Sequence, residues 1–159
     1  MSEVSVVIPV RDDAELLREC LRALGRQSEP PLEIIVVDNS SSDHSAAVAL
    51  AHGARVVQEP TVGIAYATAT GYDAARGAII ARLDADTRPP TDWLERIGTV
   101  LAGHPRAEAV TGIGVFHATF FVSLHSSGSP RSVEWPWPPG PRKSGQSWAV
   151  AAVAPIQRN

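Results

Sequence analysis

One pattern constrains the fold more than any other: short apolar runs without polar alternation. Val4–Val10 is mostly β-branched, Glu33–Asp38 has Ile-Ile-Val-Val at its centre, and residues 78–83 read Ala-Ile-Ile-Ala-Arg-Leu. A strand with one wet face alternates apolar and polar residues; a strand buried on both faces does not. These runs are therefore expected as buried strands, with Ala54-Arg-Val-Val as a shorter one. Helical patterns separate them. Leu16, Leu17, Cys20, Leu21 and Leu24 recur at helical spacing, with Asp12 or Asp13 as cap and Pro30-Pro31 as stop. Residues 44–52 predict an Ala-rich helix ending at Gly53, and residues 63–76 an Ala/Thr-rich helix ended by Gly77. Thr91 is the expected cap of a helix carrying Trp93, Leu94, Ile97 and Leu101, and residues 108–115 are expected as a fifth strand. Strands alternating with helices predict an α/β fold: a Rossmann-like, mainly parallel sheet with helices on both faces.

Ligands of such sheets bind outside the carboxyl ends of the strands. The residues there are Arg11-Asp12-Asp13, Asp38-Asn39-Ser40 and Asp84-Ala85-Asp86. Asp84 and Asp86, two apart, project to the same side while the chain stays extended. Two such charges about 4 Å apart repel by ~4 kcal/mol at an effective dielectric of 20. A divalent cation removes that repulsion, and Mg²⁺ or Mn²⁺ accepts carboxylate and phosphate oxygens together. The pair is thus a receptor for a diphosphate, or else a solvated acidic turn beside Pro89-Pro90. Asp38 is either an Asx-turn residue or an acceptor for a nucleobase N–H or ribose hydroxyl. Asp43 is expected to cap the next helix.

Composition divides the chain at residue 117. Residues 1–116 carry 10 Arg and 16 acids, whereas residues 117–159 carry four basic groups, one acid (Glu134), three of the four tryptophans and the only lysine, Lys143. The run from Trp135 to Pro141 cannot continue a helix or a central strand, because each proline fixes φ and removes a donor. Two regions are expected: residues 1–116 as the folded domain and residues 117–159 as an irregular Pro/Ser/Trp-rich tail. The tail reads as an interaction arm, a flexible terminus, or truncated or out-of-frame sequence. The overall charge of −3 gives no field for nucleic acid. One cysteine, Cys20, excludes an intramolecular disulfide and is expected in the core. The start lacks the features of a signal peptide, and no apolar run reaches the ~20 residues of a membrane span. The expected location is cytoplasmic, with the inner membrane face as a peripheral alternative.

Ser5-Val-Val-Ile-Pro-Val, Glu33-Ile-Ile-Val-Val-Asp-Asn-Ser-Ser-Ser-Asp, Gly63 to Gly71, Arg76-Gly77 and Leu83-Asp-Ala-Asp-Thr-Arg-Pro-Pro-Thr-Asp-Trp-Leu occur in one order. That order resembles the family 2 inverting glycosyltransferases of A-type fold, over about residues 4–115. The resemblance implies a nucleoside-diphosphate sugar, UDP- or GDP-linked, as donor and an acceptor that is a glycan, lipid or small molecule. It implies Pro9, Val10 and Arg11 beside the base and ribose, Asp38 on the base, and Gly63 near a base-contacting position. It implies Asp84 near ribose and metal, and Asp86 as the residue coordinating Mg²⁺ or Mn²⁺. Thr70 stands where many relatives have Asn. The family reaction is an in-line displacement with inversion, in which a carboxylate from the second half of the fold acts as base. After Asp92 this chain offers Glu95, Glu108 and Glu134 for that role, none in a convincing context.

The alternative is a nucleotide-sugar-binding half lacking the acceptor side and the base. An incomplete second half would leave a sheet edge uncovered and favour self-association. A third class, phosphoryl transfer, should show a phosphate-cradling Gly/Lys loop, and residues 1–116 contain no lysine. Gly112-Ile-Gly114 reads as a strand end, His44, His52 and His104 as solvated groups, His117 as no metal ligand, and Trp135/Trp137 as an exposed segment.

Overall fold

The computed structural model describes residues 3–104 in full and, beyond them, the backbone of four short strands. Strands β1 (Val4–Val10), β2 (Glu33–Asp38), β3 (Arg55–Gln58) and β4 (Ile79–Leu83) alternate with helices α1 (Ala14–Leu24), α2 (Ser45–Ala51) and α3 (Ile64–Ala74). Helix α4 (Trp93–Gly103) follows β4, and then come β5 (Ala109–Gly112), β6 (Phe121–His125), β7 (Arg131–Glu134) and β8 (Val150–Val153). The sheet order is β3-β2-β1-β4-β8-β5-β6-β7. The first four strands are parallel, with Val10 beside Asp38 and Val7 beside Arg82; the pairings from β8 onward are antiparallel.

Alternation along β1 explains why both faces are covered. Val4, Val6, Ile8 and Val10 join one core with Leu17, Cys20, Leu21 and Leu24 of α1, Val48 and Ala49 of α2, and Trp93, Leu94 and Ile97 of α4. Val7 joins the other, with Ile35, Val37, Ile80 and Ala67 of α3. All seven residues of β1 are buried, as its nearly all-apolar sequence requires, and its one polar residue, Ser5, donates its hydroxyl to Glu33. Since β2, β1 and β4 are adjacent and parallel, their carboxyl ends meet along one edge.

Some local expectations shift. Leu16 is 41% exposed and lies off the stripe, since a helix on a sheet buries one face only. Helix α3 stops at Ala74, because Ala75 turns extended (ψ 142°), and α4 is preceded by Asp92 rather than Thr91. Of the expected fifth strand, Ala109–Gly112 is present, while residues 108 and 113–115 lie outside the described residues. In the stretch expected to be irregular, β6, β7 and β8 are described as backbone. His117, Trp135, Trp137 and Gly114 lie outside the described residues.

Candidate functional site

Asp38 closes β2 in a buried position. One carboxylate oxygen accepts the Ser41 backbone N–H, three residues on, at 3.0 Å, and the other accepts Gln58 Nε2 at 3.1 Å. Asn39, also buried, works as a strut. Its amide nitrogen donates to the carbonyls of Glu59 (2.8 Å) and Thr61 (2.7 Å), and its Oδ1 accepts Gly63 N–H at 2.7 Å. The strut holds Gly63 at φ 147°, a region L side chains rarely adopt, with the Tyr66 ring close by. Thr70 donates its hydroxyl to Glu59 beside the same loop.

The loop after β1 is stitched to the loop after β2. Asp12 sits at φ 53° and accepts the Ser42 N–H (2.6 Å) and hydroxyl (2.9 Å), bonds that hold its carboxyl below the ordinary range. Asp43 bridges two helix starts, accepting Ala14 N–H and Ser45 N–H, each at 2.9 Å. Pro9 and Val10 are buried within β1, and the Val10 carbonyl is taken by Asn39 N–H at 2.9 Å. Of the three residues expected beside base and ribose, only Arg11 is exposed, 3.8 Å from Asp12.

Beyond β4 the chain turns instead of staying extended, and this corrects the expected geometry. The Asp84 carbonyl accepts Thr87 N–H at 3.0 Å, so residues 84–87 form a turn. Asp84 is half-buried with one oxygen paired to Arg82, whereas Asp86 is exposed. Among the described residues no donor binds the Asp86 carboxylate; only its main-chain carbonyl is engaged, by Arg88 at 3.1 Å. Burial, helped by the nearby charges of Asp86 and Asp43, raises the Asp13 carboxyl above its ordinary value, so Asp13 shares the negative potential around Asp86. Cys20 lies in the core beneath, its Sγ 3.9 Å from the Asp84 carbonyl, and burial pushes its thiol to about 12.

The donors here are all oxygen, which suits a hard divalent cation. Among the described residues no three His, Cys, Asp or Glu side chains gather as a metal cage. Two carboxylates completed by substrate phosphate oxygens is the arrangement Mg²⁺ favours. Sequence reasoning missed Asn39 and Arg82. The signal for Arg82 was its place two residues before Asp84 in a strand, which puts both on one face. His44, His52 and His104 are exposed, as expected. Of the possible bases, Glu95 accepts the Ser28 hydroxyl at 2.9 Å on α4, Glu108 lies outside the described residues, and Glu134 is described only as backbone of β7. Among the described residues no helix is long and apolar enough to cross a membrane.

The profile described as "Glycosyl transferase family 2" matches residues 5–149. The glycosyltransferase AglE of Haloferax volcanii is 35% identical over 108 residues, covering 63% of this chain and 36% of that protein. An undecaprenyl-phosphate 4-deoxy-4-formamido-L-arabinose transferase of Sodalis glossinidius is 34% identical over 112 residues, covering 64% and 34%. Among solved structures, the mannosyltransferase PcManGT of Pyrobaculum calidifontis, in complex with GDP-Man and Mn²⁺, superposes with a TM-score of 0.65 at 29% identity, over 72% of this chain and 36% of that one. The chain spans about a third of the length of these relatives.

Proposed function

The chain belongs to glycosyl transferase family 2, and from that membership we propose that it binds a UDP- or GDP-linked sugar at the carboxyl edge of β1, β2 and β4, with Mg²⁺ or Mn²⁺ held by Asp84 and Asp86. The observation that carries this reading is the Asp86 carboxylate: exposed, without a donor among the described residues, and near enough to Asp13 for the two negative charges to repel. A cation relieves that crowding, and a diphosphate completes the cation's shell. The mannosyltransferase solved with GDP-Man and Mn²⁺ supports the same chemistry. Asp38 and the loop braced by Asn39 at Gly63 frame the base and ribose, with Arg11 and the β1 backbone at Pro9 and Val10 alongside. When bound, the ion supplies positive charge against the leaving diphosphate. The full reaction is transfer with inversion to a glycan, lipid or small-molecule acceptor. It needs a base on the acceptor hydroxyl, worth about 10²–10⁴-fold.

A second reading, nucleotide-sugar binding without transfer, is favoured by the state of Glu95. It is tied to Ser28, so the first of the three candidate bases after Asp92 is already engaged.

Titration calorimetry with UDP and Mn²⁺ tests the binding. Heat that requires Mn²⁺ is expected from the whole chain, and Asp86→Ala should abolish the metal-dependent part while circular dichroism stays unchanged. Absence of heat with UDP and with GDP defeats the assignment; undiminished binding in Asp86→Ala removes Asp86 as ligand. Turnover of a UDP-sugar at family-like rates would decide for transfer over binding alone.

A further inference from the structure

Arg82 is the one charged residue of β4, a strand otherwise made of Ile79, Ile80, Ala81 and Leu83. It lies beside Val7 on one side and Ala151 on the other. A guanidinium carries five N–H donors. Among the described residues Arg82 satisfies one, given to Asp84, and its buried Nε–H has no acceptor. Its side chain is 22% exposed and that of Asp84 37%, so the pair is partly withdrawn from water. Among the described residues Asp84 is the one group that hydrogen-bonds this guanidinium, and Asp84 is the carboxylate that the functional reading gives to the metal.

We propose that Arg82 is a positioning residue that couples metal binding to nucleotide binding. In the free protein its guanidinium is the counter-ion of Asp84 and competes with a divalent cation for that carboxylate. Two cations beside one carboxylate repel. A nucleoside diphosphate brings the negative charge that accommodates both, and its oxygens would offer acceptors to the Arg82 donors left over. The metal alone therefore binds weakly, and the metal and the diphosphate strengthen each other. That strengthening is reciprocal by linkage. The inference rests on the reading of the site given above.

The test compares the whole chain with Arg82→Met and Arg82→Lys, titrating Mn²⁺ alone, UDP alone and both together. In Arg82→Met, Asp84 is released, so Mn²⁺ alone should bind about three- to tenfold tighter, while the mutual enhancement of Mn²⁺ and UDP falls by a similar factor. A merely structural residue would weaken everything together. Arg82→Lys keeps the charge and should retain most of the enhancement. Equal Mn²⁺ affinity in the original chain and a folded Arg82→Met, with UDP and Mn²⁺ still binding together in both, overturns the role of Arg82 and leaves the functional reading standing. Failure of the original chain to bind UDP with Mn²⁺ overturns both. If Arg82→Met does not fold, the ¹⁵N-labelled original chain decides: the Arg82 Nε–H resonance should move on addition of Mg²⁺ with UDP, and a stationary resonance overturns the proposal.

Discussion

At Gly71 a missing side chain sets how closely α3 lies on the sheet. A Cβ there would come 2.3 Å from Val7 Cγ1 and 2.9 Å from Val37 Cγ2. Both valines are fully buried in strands, and β-branched side chains have little rotamer freedom with which to yield. Gly71→Ala should therefore cost about 1–3 kcal/mol as overpacking, against the small gain Ala usually brings to a helix. Urea unfolding would show it as a lower midpoint at unchanged slope. An unchanged midpoint would mean that α3 can step away from the sheet at no cost. Gly77 is a tighter case: a Cβ there would lie 2.4 Å from the Glu3 carbonyl oxygen, backbone that has no rotamer to change. A glycine within a helical pattern is visible in the sequence; what it approaches is not.

Helix starts depend on neighbours rather than on their own caps. Asp13 precedes α1 and His44 precedes α2, yet neither side chain makes a capping bond. Instead Asp43 takes Ala14 N–H, and Ser45 Oγ takes Asp13 N–H at 3.3 Å. At α4 the Gln27 side chain does the same, accepting Leu94 N–H at 3.1 Å and donating to the Pro90 carbonyl at 2.6 Å. The bonds to Ala14 and Leu94 each satisfy an orphan donor of a helix and tie it to another element. Asp43→Ala removes bonds at two helix starts, so a loss of about 1–2 kcal/mol is expected, with faster hydrogen exchange at the Ala14 amide. UDP binding should weaken with it, because the loops after β1 and β2 lose their register. Unaltered exchange at Ala14 would show that water replaces Asp43 freely.

Across the whole molecule the two ends of the sheet differ in chemistry. The carboxyl edge gathers Asp12, Asp13, Asp43, Asp84 and Asp86. The amino edge is closed by a network around Glu33, which accepts Ser5 Oγ (2.9 Å), Arg76 N–H (2.8 Å) and the Arg55 guanidinium (3.1 Å) and so links β1, β2, β3 and the end of α3. Burial alone would raise the Glu33 carboxyl, but the bonds from Arg76, Ser5 and Arg55 outweigh it and leave it below its ordinary value of 4.5. A carboxylate with a lowered folded pKa stabilises the fold fully above its unfolded pKa. That contribution disappears as pH falls through the folded pKa. Stability from Glu33 should thus be level near neutrality and decline once pH drops below 4.5. Glu33→Gln should be less stable at pH 7 and show a shallower acid decline in urea unfolding over a pH series. Parallel declines in the two chains would remove Glu33 as a source of acid sensitivity.

The elements and their order were legible in the sequence because burial on both faces writes itself as an unbroken apolar run and burial on one face as a helical stripe. Those patterns are local, and they suffice to put Asp38, Asp84 and Asp86 after strands that run the same way. The partner of each polar group was not legible. Asp43 lies 29 residues from Ala14 and Asn39 24 from Gly63, and the contacts that join them exist only after crossovers have laid β2 beside β1 and β3. The turn at 84–87 and the Arg82–Asp84 pair are local by contrast, three and two residues apart, and the sequence carried a signal for the second. Apolar burial is non-directional and can be read from residue type, whereas a hydrogen bond or ion pair needs atoms brought within about 3 Å, and only the folded chain supplies that approach.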